Sequence, residues 1–293
     1  DAQEERTAEQ LLDDVFELLN IYNQRFSAND ANSELMQVNH AAGIHPVPVD
    51  PELFELIQIG KKQSLIPASH LNIALGPLVQ TWRIGFADAR IPNNTEVTHA
   101  LSLTDPQLIE LDPLSCTVFL AKEGMKLDLG CLAKGYIADK IADYLKSQHV
   151  MSALINLGGN IKTIGNNVLA NRPWQIGIQN PRQPRGTNLA VLPICNQSVV
   201  TSGTYERKLQ VNEHTYHHIL DRKTGYPVDT QLASITIISD NSLDGEIWTT
   251  RLYGEKPRQL LARVEQEKGI EALIVTTDNR VYYSSGISPE FLA

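Results

Sequence analysis

D-L-G-C-L-A-K-G-Y-I-A-D, residues 128–139, is where this chain changes character. An apolar run ends in Asp128, a glycine-containing turn follows, and residues 132–147 then carry apolar side chains at helical spacing. Around this switch lie short apolar runs bounded by turn residues: T-V-F-L-A and M-K-L-D-L before it, then A-L-I-N-L, W-Q-I-G-I, A-V-L-P-I, A-S-I-T-I-I and A-L-I-V-T-T after it. Each has the length and residue types of a strand. Helices over 243–253 and 257–267 interrupt the later ones. The pattern predicts an α+β protein with a large mixed or antiparallel sheet core and flanking helices.

Upstream, helices and loops dominate. Thr7 and Gln10 have the spacing of a capping box, and Leu11, Leu12, Val15, Phe16, Leu19, Tyr22 and Phe26 follow near helical spacing. Asp50-Pro51 reads as an N-cap with proline at the first helical position, opening a helix to about Ser64. Residues 86–115 are rich in Pro, Asn, Thr and Asp and predict loop with one short helix near 96–101. The chain is expected to form one domain over 1–293, with a helical and loop part (1–115) and a strand-rich part (116–293).

The 293 residues suffice for a sizeable core, and 42% apolar with 20% charged residues is ordinary globular composition. A formal net charge of −9 with scattered cations argues against a nucleic-acid partner. No apolar run approaches the ~20 residues of a membrane span. Cys116, Cys131 and Cys195 are too few and too spread for a disulfide framework or zinc site, and read as buried thiols. The polar start at Asp1 is compatible with removal of an upstream leader.

Four segments can carry chemistry. The turn before residues 132–147 leads into a helix N-terminus, and Lys134 adds a cation, which suits a phosphate. The spacing is neither a P-loop nor a dinucleotide fingerprint, and the same strand–turn–helix occurs in proteins that bind nothing there. In L-I-N-L-G-G-N-I (154–161) the paired glycines allow a close backbone approach or simply a turn. T-S-G-T-Y-E-R (201–207) and Y-H-H-I-L-D-R-K-T-G-Y-P (216–227) supply two adjacent histidines, which on a strand face opposite ways. In L-D-G-E-I-W-T-T-R-L-Y-G (243–254), Glu246 and Thr250 share a helix face and offer hard oxygen ligands for Mg2+. Asp244 is the competing carboxylate, but its own i+4 partner is Trp248.

Taken in this order, these segments resemble those of the bacterial FAD:protein FMN transferases, the ApbE-type flavin transferases. F-S-A-N-D-A-N-S-E-L-M-Q-V-N (26–39) and H-L-N-I-A-L-G-P-L-V (70–79) are similar to further segments of that family, so the resemblance runs from about residue 26 to 254. It implies the family's T-fold-like architecture and an Mg2+-dependent reaction. FAD is cleaved, FMN passes through a phosphoester to a Thr or Ser hydroxyl of an acceptor flavoprotein, and AMP leaves.

Residue by residue, the resemblance puts Asp128 and Lys134 on FAD, with Asn29, His70, Leu71, Asn72, Ser202, His218 and Ile219 around it. Cys131, through its main-chain carbonyl, Glu246 and Thr250 hold the metal. Relatives usually carry aspartate where Glu246 stands, so a shift to Asp244 is the alternative. His218 is expected to act as base or phosphate-orienting group. Asn29 falls where many relatives have tyrosine, which implies room for water. An Mg2+-dependent FAD pyrophosphatase and a non-catalytic FAD-binding protein are the competing readings. Relatives also begin with a strand that this chain does not show before its first helix, implying a shortened or incompletely represented N-terminus. They act outside the cytoplasmic membrane, so an extracytoplasmic lipoprotein with its anchor at a removed N-terminal segment is expected.

Overall fold

The computed structural model describes residues 7–212 and 214–292; the start at Asp1 lies outside them. Thr7 caps α1 (Ala8–Phe26) through the expected reciprocal bonds with Gln10. Ser33 caps the short α2 (Glu34–His40), and β1 (Val47–Pro48) follows. Asp50 accepts the Glu52 N–H at 2.9 Å and opens α3 (Pro51–Ser64). Next come α4 (Gly76–Trp82), closed by Arg83 at φ 50°, and α5 (Asn94–Leu101), with a capping box of Asn93 and Glu96. Helices α2 and α4 are not legible in the sequence because seven residues are too few to show a period.

The hairpin β2 (Ile109–Asp112) and β3 (Thr117–Leu120) pairs with β1 in an antiparallel sheet of three strands. The expected division at 115/116 therefore falls inside the turn of this hairpin. M-K-L-D-L is extended but joins no sheet; the Asp128 N–H reaches only the Ile73 carbonyl, at 2.8 Å.

Beyond α6 (Ala133–Ser147) come β4 (Ala153–Leu157), β5 (Asn160–Ile164), β6 (Trp174–Gln179), β7 (Asn188–Ile194), β8 (Ser198–Gly203), β9 (Lys208–Val211), β10 (His214–His217) and β11 (Leu232–Ser239). The chain then forms α7 (Ser242–Leu252), α8 (Pro257–Val264), β12 (Ile270–Thr276), β13 (Val281–Tyr283) and β14 (Glu290–Phe291). Helix α8 stops short of the 267 expected. The main sheet has six strands in the order β13-β12-β11-β8-β5-β4, every pair antiparallel.

Alternation in this sheet feeds two cores. Ile235, Ile237, Ala272 and Ile274 pack with Leu252, Tyr253, Leu260 and Val264 on the side of α7 and α8. Ile238, Leu273 and Val275 pack against Ile176, Ile178, Leu192 and Ile194 of the β6–β7 sheet. Covered on both faces, β11 reads as a nearly continuous apolar run. A third core joins the N-terminal helices to Met125, Leu127, Leu129, Leu132 and Ile247, and so holds the turn before α6 beside α7. No helix among the described residues is long and apolar enough to cross a membrane.

Candidate active site

The site is built where α6, α7 and β5 meet. Gly135 allows the two helices to approach: a Cβ there would sit 2.6 Å from the Ser242 carbonyl oxygen and 2.8 Å from Glu246 Cγ. The N-cap residue of α7, Asn241, makes no side-chain cap of its own. Asp139, one turn beyond Gly135, does so from α6, accepting the Ser242 N–H at 2.8 Å and the Leu243 N–H at 2.9 Å. Lys162 of β5 lies 3.6 Å from Asp139 and donates to the Asp240 carbonyl.

This seam delivers Glu246 to a fixed place. The residue is only 3% exposed, although a carboxylate on a helix ordinarily faces solvent. Its Oε1 accepts the Lys134 ammonium and the Asn160 amide, the latter at 3.0 Å. Asp244 is half-buried and receives only a long bond, 3.4 Å, from Asn241. Thr250, two turns from Ser242 on the same face, is half-buried, and its hydroxyl makes no hydrogen bond among the described residues.

The turn before α6 faces this group. Asp128 Oδ1 accepts the Gly130 N–H at 2.8 Å, closing a tight turn. Burial raises the Asp128 carboxyl above its ordinary range, opposed by the Gly130 bond and the Arg207 charge. Burial likewise raises the Cys131 thiol, and the neighbouring Asp128 and Glu246 charges push it further, so the thiol stays protonated near neutrality. Its main-chain carbonyl accepts no hydrogen bond among the described residues. The N-cap of α6, Leu132, also has no side-chain cap, which leaves donors and the positive helix end for an anion.

His218 follows β10 and shares this electrostatic neighbourhood. Both its main-chain N–H and its Nδ1 lie on the Arg207 carbonyl, at 3.2 and 3.3 Å. A carbonyl only accepts, so Nδ1 carries the proton and Nε2 keeps its lone pair. Burial depresses the imidazole to about 4, and the Arg207 and Lys134 charges act in the same direction. His217 turns elsewhere, its Nε2 3.0 Å from the Val228 carbonyl.

Next to Asp128 opens a cleft of about 290 Å³, lined by Asn29, Met36, Asn39, Gln80, Arg83 and Phe86 among others. Arg83 stacks over Phe86 with its guanidinium carbon 4.4 Å from the ring centroid. Asn29 is exposed, and the loop that carries it shares this opening with residues 126–128.

The segment around residue 70 is largely buried. Leu71 is fully buried, with its N–H on Ser69 Oγ and its carbonyl accepting from Arg222. Asn72 is 5% exposed, and its amide is bonded to the Thr104 carbonyl and the Ala74 N–H. Burial lowers the His70 imidazole, and the charges acting on it are Asp221, Glu255, Lys223 and Arg222 rather than those around Glu246. The Leu71 carbonyl thus ties the segment to Arg222 and the Asn72 amide ties it to Thr104, while the buried His70 Nδ1 has no hydrogen-bond partner among the described residues. Ile219 packs partly into the core behind β11. Ser202 lies on β8 opposite Ile235, alternating with Thr201, which bonds Thr236 at 2.8 Å on the other face.

Asn160, Asp139 and Arg207 carry no signal of their role in the sequence: Asn160 follows a glycine pair that reads as a turn, and Asp139 is a helix residue whose target lies 103 positions away.

Among the described residues no three His, Cys, Asp or Glu side chains converge as a metal cluster. The candidate donors are the Cys131 carbonyl, whose residue lies within electrostatic range of Glu246, the Glu246 carboxylate, and the Thr250 hydroxyl one turn further along α7. All are hard oxygens and two are unpaired. That set fits Mg2+, which takes few protein ligands and completes its shell with phosphate and water.

Comparison with known proteins identifies the family. The model of the ApbE family matches residues 2–274. A FAD:protein FMN transferase of Klebsiella pneumoniae is 46% identical over 94% of this chain and 85% of its own length. One of Treponema pallidum is 35% identical over 94% and 80%. The crystal structure of the ApbE protein of Thermotoga maritima superposes with a TM-score of 0.88 at 26% identity, covering 97% of this chain and 92% of its own.

Proposed function

The chain belongs to the ApbE family and is a flavin transferase, and from that premise we propose an Mg2+-dependent FAD:protein FMN transferase that attaches FMN to a Thr or Ser hydroxyl of an acceptor flavoprotein and releases AMP. The observation that carries the finer reading is the convergence of Glu246, Lys134 and the Cys131 carbonyl beside Asp128 and the neutral imidazole of His218.

Cys131, Glu246 and Thr250 would hold Mg2+, which when bound neutralises charge on the pyrophosphate. Lys134 and the α6 N-terminus bind the phosphates, with Asp128 and Asn29 at the neighbouring cleft. His218 Nε2 takes the proton of the acceptor hydroxyl as its oxygen bonds to the FMN phosphorus and the bond to AMP breaks. Arg207 orients that ring through its carbonyl. Water entering in place of the hydroxyl would give free FMN, and the small side chain of Asn29 leaves space for it. The family resemblance further suggests an extracytoplasmic location with a lipid anchor, to be tested by fractionating cells that carry the full-length gene.

Incubation with FAD and Mg2+, with and without an acceptor flavoprotein, tests the reading. Protein-bound FMN plus AMP is expected. Free FMN alone would assign a pyrophosphatase, and intact FAD a binding protein.

A further inference from the structure

We infer that Asn160 is a positioning residue for Glu246, a two-point clamp on α7 that sets the carboxylate and Thr250 for the metal. The inference rests on the metal reading proposed above. Asn160 is 3% exposed and stands on β5, inside the six-stranded sheet. Its Nδ2 donates to Glu246 Oε1 at 3.0 Å, and its Oδ1 accepts from Ser242 Oγ at 2.5 Å. A carboxylate cannot donate, so the amide has one orientation only.

Ser242 and Glu246 are i and i+4 on α7, and Thr250 is i+8. One short side chain on a rigid strand therefore grips two successive turns of the helix face that carries both side-chain oxygen donors. Lys134 cannot do this: its side chain is long and 44% exposed, so it supplies charge without direction. Asn160 saturates Oε1 together with Lys134, whereas Oε2 accepts no hydrogen bond among the described residues. A buried amide against a buried carboxylate is no better for stability than a well-packed apolar pair. What it adds is orientation, as groups behind metal ligands do.

The test measures Mn2+ binding to the FAD-free protein by the loss of the free-ion EPR signal, Mn2+ replacing Mg2+ at oxygen donors. Wild type, Asn160→Leu, Ser242→Ala and Glu246→Ala are compared. Asn160→Leu should weaken Mn2+ binding by about 10–100-fold. Its Mg2+ activation constant for FAD cleavage should rise in parallel while kcat at saturating Mg2+ largely recovers, a split that general loosening of the fold would not produce. Ser242→Ala, which frees the Asn160 amide without removing it, should weaken binding several-fold, and it decides the matter if Asn160→Leu does not fold. Near-wild-type affinity in the folded clamp variants, with binding lost in Glu246→Ala, would overturn the clamp and keep the metal reading. Absent binding in wild type, or intact binding in Glu246→Ala, would overturn the metal reading and the clamp with it.

Discussion

Lowering the pH from 7.5 to 5.5 separates an ordinary histidine from the one built here. The His218 imidazole is held near 4 by burial, with the Arg207 and Lys134 charges adding to the effect and the Arg207 carbonyl bond opposing it. The neutral, proton-accepting form is the one favoured, so a base of this kind keeps working as the solution turns acid. At pH 5.5 a group titrating near 4 is about 97% neutral, whereas one at the unperturbed 6.5 is only about 9% neutral. The assay is kcat/KM for AMP release from FAD with one acceptor protein at saturating Mg2+, which reports the free enzyme. It should fall by less than about a tenth between pH 7.5 and 5.5 on account of this group. His218→Asn should lower the rate throughout by roughly 10²–10⁴-fold and remove the acid limb near 4. Because the folded value lies below the unfolded one, the stability this neutral imidazole provides is present above about 6.5 and lost as pH falls towards 4, so circular dichroism must confirm folding at pH 5.5. A tenfold loss by pH 5.5 with an apparent value near 6.5, absent from His218→Asn, would refute the reasoning.

Glu246→Ala should abolish Mg2+-dependent turnover and Asp244→Ala should not, since only Glu246 faces Lys134 and Asn160; the reverse result in steady-state assays would move the metal carboxylate to Asp244. Cys131→Ala should keep its Mg2+ activation constant because the proposed donor is the main-chain carbonyl, and a tenfold rise in a folded variant would sink that assignment. Asp139→Ala removes two bonds to the α7 N-terminus and leaves the buried Lys162 with the Asp240 carbonyl but no carboxylate partner, so urea unfolding should show a loss of about 3–5 kcal/mol. A loss below about 1 kcal/mol would mean the seam contributes little.

What the sequence determined by itself was local. The capping box at Thr7, the proline-led start of α3 and the apolar runs of β4, β6, β11 and β12 are legible because capping and alternation act over a few residues. The order of motifs also identified the family, and the i to i+4 spacing placed Glu246 and Thr250 on one face. Only the tertiary structure decided what that face meets. Central strand β8 hid in a half-polar motif, because its burial comes from β5, β11 and α7 rather than from its own composition. Leu71 and Asn72 turned inward because the Arg222 guanidinium and the Thr104 carbonyl, far along the chain, take up their polar groups. Asn160 and Asp139 reach α7 across 86 and 103 positions. Hydrogen bonds at 3 Å depend on how helices and sheet dock, and no periodicity along the chain encodes that docking.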